Sequence, residues 1–170
     1  EQAMPRLMGL DLQLVILGAG DQHYHDVFSR LARQYPEQLT VFLTFNTPLA
    51  RKIYAGSDLF LMPSRFEPCG MGQMVAFRYG SIPVVRATGG LADTVQNYDP
   101  VTRTGNGFSF VEYDPWQLFA TVVRAIENYH HPEAWRALQQ RGMALDFSWD
   151  RPAERYVEAY RRAIAHRRGS

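Results

Sequence analysis

Residues 59–90 read LFLM at 59–62, PSRFEPCG at 63–70, MGQMVAFRYG at 71–80, IPVVR at 82–86 and ATGG at 87–90. LFLM is short, apolar and uninterrupted, as a strand buried on both faces should be. Pro63 to Gly70 reads as a loop. A helix follows over about 71–79 and is stopped by Gly80. IPVVR is a second buried strand, and Thr88-Gly89-Gly90 turns into another helical start.

The same unit recurs upstream. LQLVIL at 12–17 is a strand that runs into Gly18-Ala19-Gly20. Residues 22–34 carry helical spacing through Val27, Leu31 and Tyr35, and Pro36 ends the helix. LTVFLTF at 39–45 is β-branched and aromatic, hence strand. Pro48 suits the first turn of a helix over 47–56. Alternation of strand and helix with short connections predicts an α/β fold, a parallel sheet with helices on both faces.

Downstream, NYDPVTRTGNG at 97–107 is a turn-rich surface loop, and GFSF at 107–110 is a short strand. Three helices follow at about 115–129, 132–145 and 151–166, with Pro115, Pro132 and Pro152 near their starts. The chain is read as one domain over 1–170, with an α/β core over about 11–112 and C-terminal helices over about 115–166. Its opening residues read as helix or loop. Gly169-Ser170 reads as native sequence or as an appended pair.

A net charge of +1 gives no nucleic-acid or membrane footprint. The terminal basic cluster, Arg161-Arg162 and His166-Arg167-Arg168, reads as a solvated helix face. One cysteine, Cys69, cannot form an internal disulfide, so a reducing compartment fits. No apolar run reaches the ~18 residues of a membrane span, and no leader pattern is visible.

Ligands of open parallel sheets bind beyond the carboxyl ends of the strands. Four segments fall there: Gly18–Asp21, Phe45–Thr47, Pro63–Gly72 and Ala87–Gly90. Gly18-x-Gly20 is either a tight turn or a place of close nucleotide approach; His23 stands where a dinucleotide fingerprint has a third glycine. Glu67 is either a capping acid or a ligand-binding acid. The N–H groups of Gly70, Met71 and Gly72, at a helix start, suit an anion. Cys69 has no histidine partner visible, so it reads as buried or as contributing only backbone. Thr88 is a helix N-cap or a phosphate donor. Phe45 is a core residue or a stacking surface for a base. His23, His25, His130 and His131 lack metal-ligand spacing, and no metal site is expected.

SRFEPCGMGQMVAFRYGSIPVVRATGGLADTV, at 64–95, resembles the signature block of the glycogen and starch synthases that use ADP-glucose. FNTPLARKIYAGSD before it is similar to the adenine-side segment of that family. GFSFVEYDPWQLFATVVRAIENY and FSWDRPAERYVEAYRRAI resemble the family's tail. The resemblance covers nearly the whole chain. It implies a Rossmann-like sheet forming the C-terminal half of a two-domain GT-B glycosyltransferase. The implied reaction moves glucose from ADP-glucose to the non-reducing end of an α-1,4-glucan, with retention and no cofactor. By the same resemblance Glu67 binds the glucose hydroxyls near the reaction centre. Cys69 and Gly70 contact the sugar through backbone, and Met71 and Gly72 offer N–H groups to the diphosphate. Thr88 and Gly89 line that pocket, Gly18 lies on the donor side, and Phe45 stacks on adenine.

Two positions depart from the pattern. Gly72 stands where many relatives carry a hydroxyl residue. Val75 stands where the wider superfamily has a second acid, which synthases commonly lack. The family's basic loop, the first strand and the acceptor-binding N-terminal domain are expected before residue 1. The isolated chain is therefore expected to be inactive. Without its partner the final helix exposes Tyr156, Val157 and Tyr160 and could support a dimer. A cytoplasmic or plastid-stromal location is implied. The competing readings are a non-catalytic nucleotide-binding or scaffold module, and a glycosyltransferase that uses a UDP-sugar.

Overall fold

The structure is a computed structural model that describes residues 1–168; Gly169-Ser170 lie outside the described residues. A short helix, α1 (Met4–Leu7), precedes β1 (Leu14–Leu17). Helix α2 (Gln22–Gln34) starts where the Asp21 carboxylate accepts from the His23 N–H. It ends at Tyr35, before Pro36, which cannot continue it. Strand β2 (Leu39–Phe42) pairs in parallel with β1 from Leu14↔Leu39 to Leu17↔Phe42.

β2 stops three residues short of the stretch its composition suggested. The limit is its partner: β1 ends at Leu17, and the N–H of the following Gly18 donates the last ladder bond to the Phe42 carbonyl at 3.1 Å. Beyond it Asn46 caps α3 (Thr47–Gly56) by accepting from the Leu49 N–H. Strand β3 (Leu59–Met62), helix α4 (Gly72–Tyr79) and strand β4 (Ile82–Arg86) follow, with Gly80 closing α4 at φ +77°. Then come α5 (Gly90–Thr94), β5 (Phe108–Phe110), α6 (Pro115–Tyr129), α7 (Pro132–Met143) and α8 (Asp150–Arg168).

All strand pairs are parallel, with helices on both faces, as the alternation requires. The hydrogen bonding nevertheless divides the strands into two ribbons, β1-β2 and β3-β4-β5. What joins the ribbons is side-chain packing. Leu14, Ile16 and Val41 meet Leu59, Leu61, Ile82 and Val84 in one cluster, and apolar contact needs proximity but no ladder register. β4 shows why its sequence is apolar throughout. Ile82 and Val84 belong to that cluster, while Val85 packs with Phe77, Leu91 and Val95 on the opposite face.

The first cluster also takes in Val122 and Ala125 of α6 and Trp135 and Leu138 of α7, so these helices belong to the same core as the sheet. It includes Ala3, Met4, Leu7 and Met8 as well, which ties α1 into the domain. α8 differs: Tyr156, Val157, Tyr160 and Ile164 remain exposed. Among the described residues no helix is long and apolar enough to cross a membrane.

Phe108 is fully buried, its ring 5.9 Å from Tyr98 and 6.4 Å from Trp135, with the Arg124 guanidinium 5.7 Å away. Phe108→Ala would leave a cavity among rigid aromatic neighbours. The expected loss is about 3–5 kcal/mol of unfolding free energy, read from the urea midpoint.

Candidate functional site

The loop after β3 and the turn after β4 form one interlocked unit. The Gly90 N–H donates to the Pro68 carbonyl at 3.2 Å. The two glycines are needed because backbone lies against backbone. A Cβ on Gly89 would sit 1.9 Å from the Glu67 carbonyl oxygen, and one on Gly90 would sit 1.9 Å from that of Cys69. Gln73, fully buried in α4, ties the unit from beneath. Its Nε2 donates to the Gly70 carbonyl at 3.0 Å and to the Thr94 hydroxyl at 3.1 Å. The Thr94 hydroxyl in turn donates to the Gly90 carbonyl at 2.7 Å.

This unit presents Glu67, which is half-buried and accepts from the Ser64 hydroxyl at 3.5 Å. It also presents the start of α4. Met71 is the N-cap and makes no side-chain cap bond, so the first turn of α4 keeps its outward N–H donors. Cys69 is exposed rather than buried, because its carbonyl, not its thiol, packs inward against Gly90. Thr88 is not the cap of α5 either. Gly89 holds that position with no side-chain bond, which leaves the Thr88 hydroxyl without a hydrogen bond among the described residues. Val75 lies exposed on α4.

Gly72 is explained by what stands behind it. A Cβ there would meet the Phe60 ring at 3.0 Å and the Tyr54 hydroxyl at 3.3 Å. Those two rings, 5.0 Å apart, occupy the space that a side chain at position 72 would need. Burial pushes the Tyr54 phenol above its ordinary pKa.

Gly18 and Phe45 lie beyond the carboxyl ends of β1 and β2, outside this hydrogen-bonded unit. A Cβ on Gly18 would meet nothing within 4 Å, and its φ is not in the left-handed region. Internal packing therefore does not call for glycine at position 18. Phe45 is 89% exposed, which removes it from the core. The histidines serve other ends: His25 Nε2 accepts from the Gly20 N–H at 3.2 Å, and His23 Nε2 lies 3.3 Å from a Glu1 carboxylate oxygen.

Sequence reasoning missed Arg86, Gln73 and the Tyr54–Phe60 pair. Arg86 carried one signal, a charge ending an otherwise apolar strand. The others depend on partners distant in sequence. Arg65, Phe66, Pro68, Cys69 and Met71 around Glu67 are exposed, so this part of the surface is open. A cavity of about 620 Å³ lies elsewhere, against α8, lined by Met74, Phe147, Arg155 and Tyr156 among others.

The family described as "Glycosyl transferases group 1" matches residues 2–141. A glycogen synthase of Syntrophotalea carbinolica is 54% identical over 164 residues, 96% of this chain and 34% of that protein. A glycogen synthase of Desulforudis audaxviator is 51% identical over 164 residues, again 96% of this chain and 33% of that protein. The chain thus spans about a third of the length of these curated relatives. Among solved structures, the catalytic domain of starch synthase IV from Arabidopsis thaliana, bound to ADP and acarbose, superposes with a TM-score of 0.86. It is 37% identical, and the match covers 96% of this chain and 35% of that one. A sucrose-phosphate synthase from Thermosynechococcus elongatus shares the fold, with a TM-score of 0.67 at 21% identity, over 97% of this chain and 41% of that one.

Proposed function

The chain belongs to the group 1 glycosyltransferases, and on that premise we propose that it is the donor-binding part of an enzyme that transfers glucose from ADP-glucose to the non-reducing end of an α-1,4-glucan. The observation that carries this reading is the interlocked unit of Glu67–Gly70 with Gly89-Gly90, which holds a carboxylate beside the uncapped start of α4. An acid next to free N–H donors suits a sugar joined to a diphosphate. The likeness to glycogen synthases, and to a starch synthase whose structure holds ADP, supports the choice of donor.

On this reading Glu67 accepts hydrogen bonds from glucose hydroxyls. Backbone groups of Cys69 and Gly70 flank the sugar. The N–H groups of Met71 and Gly72 face the diphosphate, with Thr88 and Gly89 beside them, and no cofactor is required. Phe45 stacks on adenine, and Gly18 lets the nucleotide come close to backbone. The bond from the anomeric carbon to the diphosphate oxygen breaks as a new one forms to the acceptor hydroxyl on the same face. The acceptor proton passes to the leaving phosphate. Donors fixed in advance lower the cost of the growing negative charge.

The site is open on this chain, so water exclusion and acceptor orientation belong to the rest of a longer protein. The exposed apolar residues of α8 are assigned to a contact with that remainder. The chain alone should therefore bind donor without turnover. A competition titration is expected to show ADP displacing a labelled adenine nucleotide at concentrations where UDP does not. Glucan elongation by the isolated chain should be undetectable with ADP-glucose. Equal displacement by UDP would remove the adenine assignment, and turnover near that of a full synthase would remove the partial-site reading.

A further inference from the structure

Arg86 ends β4, whose four preceding residues are buried and apolar. Its guanidinium pairs with no carboxylate among the described residues. It is spent on carbonyl oxygens instead. Nε donates to the Val111 carbonyl at 3.0 Å, and one terminal nitrogen donates to the carbonyls of Arg65 at 2.9 Å and Ser64 at 3.3 Å. The guanidinium also lies 5.7 Å from the Tyr113 ring, and that of Arg65 lies 6.0 Å from the same ring. Arg86 thus joins the segment after β5 to the first residues of the loop that carries Glu67.

The consequence reaches Glu67 through one residue. Ser64 gives its carbonyl to Arg86 and its hydroxyl to the Glu67 carboxylate. A serine whose backbone is anchored aims its hydroxyl in a fixed direction; on a loose loop the same hydroxyl wanders. A planar guanidinium has donors pointing in several fixed directions and holds two chain segments in one geometry, whereas an ammonium is a point charge on a flexible stem with rotatable donors.

We propose that Arg86 is a positioning residue for the sugar end of the donor, acting on Glu67 through Ser64. The proposal rests on the reading of Glu67 as the sugar-hydroxyl ligand. It assigns Arg86 no contact with substrate, and it separates the sugar end from the base end, which Arg86 does not touch.

The test uses the full chain with Arg86→Gln, Arg86→Lys and Ser64→Ala, read by calorimetry with ADP and with ADP-glucose. Arg86→Gln is expected to weaken ADP-glucose about tenfold, the scale of a lost charge-assisted hydrogen bond, and ADP far less. Arg86→Lys should not restore the difference. Ser64→Ala, which keeps the carbonyl anchors, should show the same selective loss and covers the case in which the arginine variant fails to fold. Equal weakening of both ligands by Arg86→Gln, or no change in either, would overturn the proposal. Ligand-free hydrogen exchange supplies a readout independent of Glu67. Amides 64–70 should exchange faster in Arg86→Gln while those of α6 and α7 do not, and unchanged exchange in that loop would also overturn it. A wild-type chain that binds no ADP-glucose while the loop still loosens would instead count against the proposed function.

Discussion

Replacing Gly89 with alanine is expected to disrupt both the fold around the site and nucleotide binding. Gly89 has φ +48° and ψ −137°, a region that side chains rarely adopt. Its added Cβ would lie 1.9 Å from the Glu67 carbonyl oxygen and 2.9 Å from the carbon behind it. Those atoms are backbone and cannot swing aside as the end of a long side chain can. Strain in φ and overlap together should cost at least about 3 kcal/mol, a large share of the roughly 5–15 kcal/mol that holds an ordinary domain. Gly18→Ala is the matched control. No atom stands within 4 Å of its added Cβ, so the unfolding free energy measured in urea should change by no more than about 0.5 kcal/mol. If a nucleotide approaches that backbone, ADP affinity should still fall. Loss of stability in both variants, or in neither, would show that the two glycines do not divide into an internal and a ligand-facing role.

Phe45→Ala should show the reverse pattern from a core substitution. The ring is 89% exposed and follows a strand whose ladder has already closed at Phe42. Its removal should leave thermal and urea midpoints unchanged. The expected loss in ADP affinity is about 1–3 kcal/mol, the worth of a base stacked on an aromatic ring. Calorimetry of both proteins measures it. An unchanged affinity would return Phe45 to an ordinary surface residue. A lowered midpoint would give it a structural role that its exposure does not suggest.

The helices were legible because their ends are chemically marked. α2, α3 and α6 run over Gln22–Gln34, Thr47–Gly56 and Pro115–Tyr129, matching spans set by Pro36, Pro48 and Pro115 and by apolar spacing. Strand ends were less legible. β2 reads as a strand through Phe45 on propensity, yet its length is fixed by β1 and by the Gly18 N–H. The division into two ribbons depends on edge pairing, which no local pattern records. α1, four residues long, is too short for helical periodicity to show.

The site divides along the same line. The segment from Glu67 to Gly72 announced itself through its glycines and its acid. Thr88 stayed open between a helix N-cap and a phosphate donor, because the choice of Thr88 or Gly89 as the cap turns on a backbone angle. Arg86 and Gln73 act on carbonyls and a hydroxyl about 21 residues away in sequence, a distance over which spacing carries no information. Arg86 could be seen as anomalous at the end of an apolar strand. What it holds could not.

The most direct measurement is amide chemical-shift mapping of the isotope-labelled chain as ADP-glucose is added. The expected shifts fall at Gly18–Gly20, at Phe45–Thr47, at Glu67–Gln73 and at Thr88–Gly90, while amides of α7 and α8 stay in place. Shifts confined to the α4–α8 cavity around Met74 and Tyr156, or none at saturating ligand, would contradict the assignment of this surface as the donor site.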